Sequence, residues 1–350
     1  MLTVIGLLEK FIEALILDNK TTHRERIEKV LCGEKPDRIP ISFWRHFPVD
    51  DQTPEGLAAA TLDFQKKYDF DLVKVTPASS YCLKDWGAKD KWNGDLEGTR
   101  DYISLVISNP DDFAQFKLLN PREGFLGQQL ECLKIIRHEL PDSIPVIQTI
   151  FSPLAQIKNL IGRSNVGLYI RLFPQQIIHI LEVICESTIN FINECKLIKI
   201  DGIFYAVQQA QFDMLTEEEF LRFGKYFDIK VLRNLDNFWF NLLHIHGSNI
   251  MFNLLLDYPL QVINWHDRET KPDLIGAMKI TQKTLCGGLS RINSMVLGDS
   301  NLIEKEARDA LEQTSGKKFI LGTGCVLPIT TPMGNIAAAR SFVEKYKVNF

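Results

Sequence analysis

Several features are missing from this sequence, and each absence removes a class of function. No run of lysine and arginine reaches five residues, and the formal net charge is −4 with a pI near 6.0. Binding to a phosphate backbone needs a cationic stripe, so nucleic acid is not an expected partner. No long apolar run is free of charge. The N-terminal stretch LTVIGLLEKFIEALIL carries Glu9, Lys10 and Glu13, which makes it too short and too charged to span a bilayer. It also lacks the basic lead-in and the small-residue cleavage site of a secretory signal. Val4, Leu8, Phe11, Ile12 and Leu15 instead recur at helical spacing. Residues 1–20 are therefore expected to form an amphipathic helical extension that docks on the body or on a second subunit, a homodimer being one such arrangement. The seven cysteines are irregularly spaced and include no CxxC pair. That argues against a disulfide framework and for reduced thiols in a cytoplasmic protein. Short-period repeats and low-complexity tracts are also absent.

What is present is an alternation of short apolar runs with helical stretches. The runs are IPISFWRHF (39–47), FDLVKVTP (70–77), IPVIQTIF (144–151), DGIFYAVQ (201–208), NLLHIHG (241–247), LQVINWHD (260–267), KTLCGGLS (283–290) and KFILGTGC (318–325). Helix boundaries are marked by residue type. Thr22 and Glu25 make a capping box, Gly33 is a stop, and Pro36 and Pro40 prevent continuation. Thr216 and Glu219 repeat the capping device before EEEFLRFGKYFDIKVLRNL. Near-continuous apolar strands between helices predict a parallel sheet covered on both faces. Eight such units predict an α/β fold of the (β/α)8 TIM-barrel type, a single domain over residues 21–350. An open doubly wound sheet is the structural alternative. No GxGxxG follows the first strand, and GTGCV at 322–326 lies too late, which weighs against a dinucleotide-binding version. Ser79–Asp112, rich in aromatics, glycine and charge, reads as an insertion over one barrel end.

In such a barrel the site forms at the carboxyl ends of the strands. In chain order these ends carry Arg45 and His46, Thr76, Gln148, Gln208 or Gln209, His244 and His246, His266 and Asp267, Gly287 and Gly288, and Cys325. Side chains two apart on a strand share a face. HIH therefore aims His244 and His246 into one space, which Cys325, about eighty residues later, can join. Two imidazoles and a thiolate with a fourth position open suit catalytic zinc. A histidine pair at this spacing is equally consistent with a hydrogen-bonded core pair, and an isolated cysteine with a small buried hydrophobe. Arg45 can clamp a substrate carboxylate or pair with Asp50 or Asp51. His266 can be held by Asp267 or by a backbone carbonyl. Catalytic or orienting roles are assigned to Arg45, His46, Gln148, Gln208, His266 and Asp267, and metal ligation to His244, His246 and Cys325.

Four segments, RERIEKVLCGEKPDRIPI, YDFDLVKV, LCGGLS and GTGCVLPITTPMGNIAAARSFVEKY, together resemble the uroporphyrinogen decarboxylase superfamily over roughly residues 20–350. The resemblance implies a (β/α)8 barrel in one of two branches. One removes carboxylates from tetrapyrrole acetate arms without a cofactor; the other uses zinc to move a methyl group between a corrinoid and a thiol such as coenzyme M. The decarboxylases carry an RQAGRY-type segment and an aspartate after the second strand. Here those places read FWRHFPVDD and KVTPASS, leaving Arg45 as the only comparable arginine and no aspartate. The methyltransferases carry an HxC pair and a distant GC as zinc ligands. His244 and Cys325 match two of these positions, and His246 stands where the first cysteine belongs.

The resemblance favours zinc-dependent methyl transfer to a small thiol from a methylated corrinoid carried on a partner protein. The alternative is a metal-independent decarboxylase of a tetrapyrrole or other polycarboxylate. A non-catalytic binding barrel is the third reading.

Overall fold

The computed structural model describes residues 21–109, 112–113 and 116–346; the helix expected over 1–20 lies outside them. Its strands are β1 (Val73–Val75), β2 (Lys89–Lys91), β3 (Asp101–Ser104), β4 (Val146–Phe151), β5 (Gly202–Val207), β6 (Leu242–Ile245), β7 (Val262–Trp265), β8 (Thr284–Leu289) and β9 (Phe319–Thr323). β2 and β3 pair antiparallel inside the expected insertion. The other seven form one curled parallel sheet in the order β1-β4-β5-β6-β7-β8-β9. Every residue of these seven strands is buried, as strands covered by helices on their outer face require.

Seven of the eight apolar runs thus become strands of the sheet, and the first does not. Ile41 makes a single isolated parallel bridge to Leu321 of β9. On its other side the Ile41 carbonyl accepts the Asp71 N–H at 2.9 Å, just before β1. Two local features keep this segment from extending into a ladder. Pro40 has no N–H to donate, and the Ile41 N–H is taken by the Asp71 carboxylate at 2.8 Å. The segment links the two edge strands without forming an eighth regular strand.

The helices fall close to the expected places, and their caps explain their boundaries. Thr22 and Glu25 close a reciprocal capping box on His23–Cys32, which ends at Gly33 with φ 78°, a left-handed geometry that glycine adopts without strain. The helix expected across 217–235 is capped at Thr216 as foreseen and runs without interruption to Leu232, with a π segment inside it. An α-turn at Glu217–Phe220 passes into a π segment at Leu221–Lys225 before α geometry resumes at Tyr226–Leu232. No single helix among the described residues is long and apolar enough to cross a membrane.

Alternation along the strands separates an inner from an outer set. Tyr205 on β5 points outward, where its hydroxyl and that of Tyr258 both donate to Asp228, at 2.8 and 2.6 Å. Phe204, Ala206, His244 and His246 face the inside.

Candidate metal centre

Three pairs of residues two apart, on β6, β7 and β9 or just beyond, build the centre. They are His244 and His246, Asn264 and His266, and Thr323 and Cys325. β6 and β7 run parallel with His244 opposite Asn264, so the two histidines of HIH lie beside the Asn and His of NWH on one face. The ligand atoms of His244, His246, His266 and Cys325 all lie within 4.8 Å of one another. Cys325 Sγ is 3.8 Å from His244 Nε2 and 3.8 Å from His246 Nδ1, and His266 Nε2 is 3.3 Å from His246 Nδ1. Gly324 makes the convergence sterically feasible. A Cβ there would sit 2.6 Å from both the Trp265 carbonyl oxygen and His266 Cα, so only glycine lets the end of β9 approach β7 this closely.

The surroundings orient two of the rings. The Asn264 amide donates to the carbonyls of Cys286 at 2.9 Å and Thr323 at 3.0 Å, leaving its oxygen for His244 Nδ1 at 2.7 Å. His244 Nδ1 must therefore carry the proton, and Nε2 presents its lone pair toward Cys325. His266 Nδ1 faces the acceptor-only carboxylate of Glu269 at 3.2 Å, so its Nε2 is turned inward, toward the cluster. Glu269 is in turn bonded by Arg291, which also binds Glu97 of the insertion. This is the outer-shell pattern that fixes tautomer and orientation of metal-binding imidazoles.

Electrostatics follow from burial and proximity. Burial alone would raise the Cys325 thiol, but His244, His246 and His266 outweigh it and hold the thiol well below its ordinary value. Burial lowers His244 despite the thiolate beside it. For His266 burial works in the same sense, yet Cys325 and Glu269 prevail and raise it to about 9. A thiolate and imidazole nitrogens turned inward, which a bound metal would deprotonate where they carry a proton, form a donor set that suits zinc.

A cavity of about 530 Å³ opens beside the cluster. Its walls include His244, His246 and Cys325, the aromatic rings of Trp44 and Phe204, and Glu97, Arg100 and Tyr102 from the insertion. The insertion therefore covers the end of the sheet that holds the cluster. His46 and Gln208 line this cavity. Burial, reinforced by the Lys74 ammonium, pushes His46 down to about 3, so it is neutral there. Gln208 accepts from Lys158 at 2.7 Å. The structure sets the other assigned residues apart. Arg45 leans over the Phe47 ring and bonds the His46 carbonyl. Gln148 is fully buried against Gln129 of the helix Gly124–Glu139. Asp267 accepts the Gly288 N–H at 3.0 Å, and burial pushes its carboxyl up to about 7. None of these three lines the cavity.

Two residues of the site went unread in the sequence. Asn264 sits two before His266 just as His244 sits two before His246, and that repeat was the available signal. Lys74, in the cavity wall, was hidden inside the apolar run FDLVKVTP.

The fold and the cluster together define a parallel α/β protein with a candidate transition-metal centre at the carboxyl ends of its strands. The uroporphyrinogen decarboxylase (URO-D) family profile matches residues 22–346, and the chain belongs to that family. It is 21% identical over 346 residues to the methylcobamide:CoM methyltransferase MtbA of Methanosarcina acetivorans, covering 93% of this chain and 98% of that protein. Among solved structures, a methyltransferase from Methanosarcina mazei superposes with a TM-score of 0.80 at 17% identity, over 93% of this chain and 99% of the other. A B12-independent methionine synthase from Shewanella sp. W3-18-1 follows at a TM-score of 0.58 and 12% identity, over 88% and 94%.

Proposed function

We propose that the protein is a zinc-dependent methyltransferase that moves a methyl group from a methylated corrinoid, carried on a partner protein, to a small thiol. The observation that carries this reading is the convergence of four donor atoms within 4.8 Å. The similarity to MtbA supports the methyl transfer. His244, His246 and Cys325 would hold the metal. His266, whose Nε2 also faces the cluster, is the fourth donor and occupies the position that a substrate thiol would take. Zinc bound there would supply the Lewis acidity that keeps a thiol ionised at neutral pH. Asn264 fixes the His244 tautomer, Glu269 orients His266, and the insertion forms one wall of the cavity. We read residues 21–350 as one barrel domain, with the Ile41 segment as the first stave closing an eight-fold barrel.

The cationic side chains of Lys74, Arg100, Lys158 and Arg163 in the cavity wall favour a second reading, a metal-independent decarboxylase of a tetrapyrrole or other polycarboxylate. Arg100 is already bound by Asp51 and Lys158 by Gln208, which leaves fewer cations free than that reaction needs. The test is methylation of a thiol by methylcobalamin, followed with zinc-reconstituted protein and with His244→Ala. Activity that requires zinc and His244 supports transfer; decarboxylation of a tetrapyrrole by the metal-free protein sinks it.

A further inference from the structure

A groove of about 610 Å³ lies on the outer surface, between the helices Gly124–Glu139 and Pro174–Leu197. These helices lead into the amino ends of β4 and β5, opposite the carboxyl ends that hold the His–Cys cluster. The apolar part of the groove is Leu130, Ile198 and Leu197, the last of them 69% exposed. Around it stand the basic side chains of Arg122, Lys134, Arg137 and His138, against a single acid, Glu194. Arg137 is itself 9% exposed, and its Nε is buried without a protein partner. An exposed apolar floor inside a basic rim is the kind of surface that an acidic amphipathic helix fits.

The chain delivers such a segment to this place. The described residues begin at Thr21, whose carbonyl accepts from Arg26. The Arg24 N–H donates to the Ser143 carbonyl at 2.9 Å, just past the end of the helix Gly124–Glu139. The Arg24 guanidinium lies 3.6 Å from Asp201, which Arg137 of the groove holds from its other oxygen at 3.2 Å. One chain of ion pairs, Arg24–Asp201–Arg137, thus joins the start of the helix His23–Cys32 to the groove wall. Residues 1–20 lead directly into Thr21, and twenty helical residues span about 30 Å, enough to lie along the groove. Their apolar stripe, Val4, Leu8, Phe11, Ile12 and Leu15, matches the floor. Their three acids, Glu9, Glu13 and Asp18, outnumber the bases Lys10 and Lys20 and match the rim. We propose that residues 1–20 dock as an amphipathic helix in the groove between Gly124–Glu139 and Pro174–Leu197 of the same chain. The short tether favours this groove over that of a second copy. The surface is independent of the function proposed above.

The test is hydrogen–deuterium exchange of the full-length protein, read by peptide mass spectrometry beside a synthetic peptide of residues 1–20. An isolated helix of this length is marginal in water, so protection within the segment reports docking. In the unmodified protein its amides are expected to exchange about tenfold or more slowly than in the peptide, over a concentration range in which sedimentation shows one constant mass. Lys134 and Leu197 are both exposed, so the double variant Lys134→Glu, Leu197→Asp alters the groove without touching the core. It should return the segment to within about twofold of the peptide rate, while exchange of β4 stays unchanged. Phe11→Asp, which interrupts the stripe, should do the same. Peptide-like exchange of the segment in the unmodified protein overturns the proposal, as does protection that survives in the double variant. Protection that is lost on dilution, together with a fall in mass, places the segment on a second copy and also overturns it.

Discussion

Two charges three residues apart, one just before β1 and one within it, are buried in opposite ways. At the amino end, Asp71 is completely buried, and its carboxylate is surrounded by donors. It accepts from Arg26 at 2.6 Å, Arg38 at 2.6 Å and the Ile41 N–H at 2.8 Å, with His23 Nδ1 at 2.9 Å. Three residues further on, Lys74 is buried almost as fully with a hydroxyl and an aromatic face for company. The first network is closed: charge is matched inside the protein, and its work is to tie the helix His23–Cys32, the Ile41 segment and β1 together. The second is open: among the described residues no carboxylate meets the amine, and burial lowers it to about 7. Fully satisfied buried polar networks specify structure, whereas an unpaired buried charge is driven toward its neutral form.

The sharpest way to break this contrast is to remove each charge in turn. Asp71→Ala leaves Arg26 and Arg38 with only their exposed carboxylate partners, Asp37 and Glu344, and should cost about 3 kcal/mol in urea unfolding. Lys74→Gln removes an amine that burial lowers to about 7 and that no carboxylate holds, and should stay within about 1 kcal/mol of the unmodified protein. Comparable losses for both variants would erase the distinction. A smaller effect is expected at the cluster, and on metal affinity. Cys325→Ser should weaken zinc binding on the order of a hundredfold or more, read by competition with a chromogenic chelator, while the metal-free protein unfolds at an unchanged urea concentration. Asn264→Ala should follow with a loss of about 10–100-fold, because His244 loses the acceptor that sets its tautomer. Asn264→Asp keeps an acceptor and should lose less.

The smallest effect is on pH dependence, where two buried aspartates outside the metal centre differ in sign. Burial opposes ionisation of Asp71, but His23, Arg38 and Arg26 hold its carboxyl well below the usual range. Its stabilisation is complete above an unfolded value of about 3.9 and is lost as pH falls below it. Burial instead pushes Asp228 up to about 7, despite its two tyrosine hydroxyl partners. Its contribution is full below about pH 3.9 and lost as pH rises through 7. Urea midpoints from about pH 3 to 8 should therefore lose part of their acid slope in Asp71→Asn, and part of their decline toward neutrality in Asp228→Asn.

Much of the fold was legible because its signals are local. Thr22 with Glu25 and Thr216 with Glu219 cap helices where their side chains predict, and seven apolar runs become buried strands. The first run failed because its pairing was decided at a distance: the Asp71 side chain takes the Ile41 N–H that a ladder would need. The helix expected at 217–235 forms as far as Leu232, but its internal π segment is one that residue preferences do not announce. In the site, the convergence of His244, His246 and Cys325 followed from alternation and from the shared carboxyl ends of the strands. His266 was assigned an orienting role, because its place as a fourth donor depends on the register between β6 and β7. Gln148 was expected at the site but points to the outer face, against Gln129. Lys74 was invisible for a related reason. A strand buried on both faces shows no polar alternation, so one lysine among valines gives no sign of which way it points.

The central claim is that the imidazoles and the thiolate form one metal centre. X-ray absorption at the zinc edge of the reconstituted, substrate-free protein tests it directly. The account predicts one sulfur at about 2.3 Å and two or three nitrogens at about 2.0–2.1 Å, with the sulfur contribution lost in Cys325→Ser. A shell of nitrogen and oxygen alone, or a spectrum unchanged by Cys325→Ser, would contradict it.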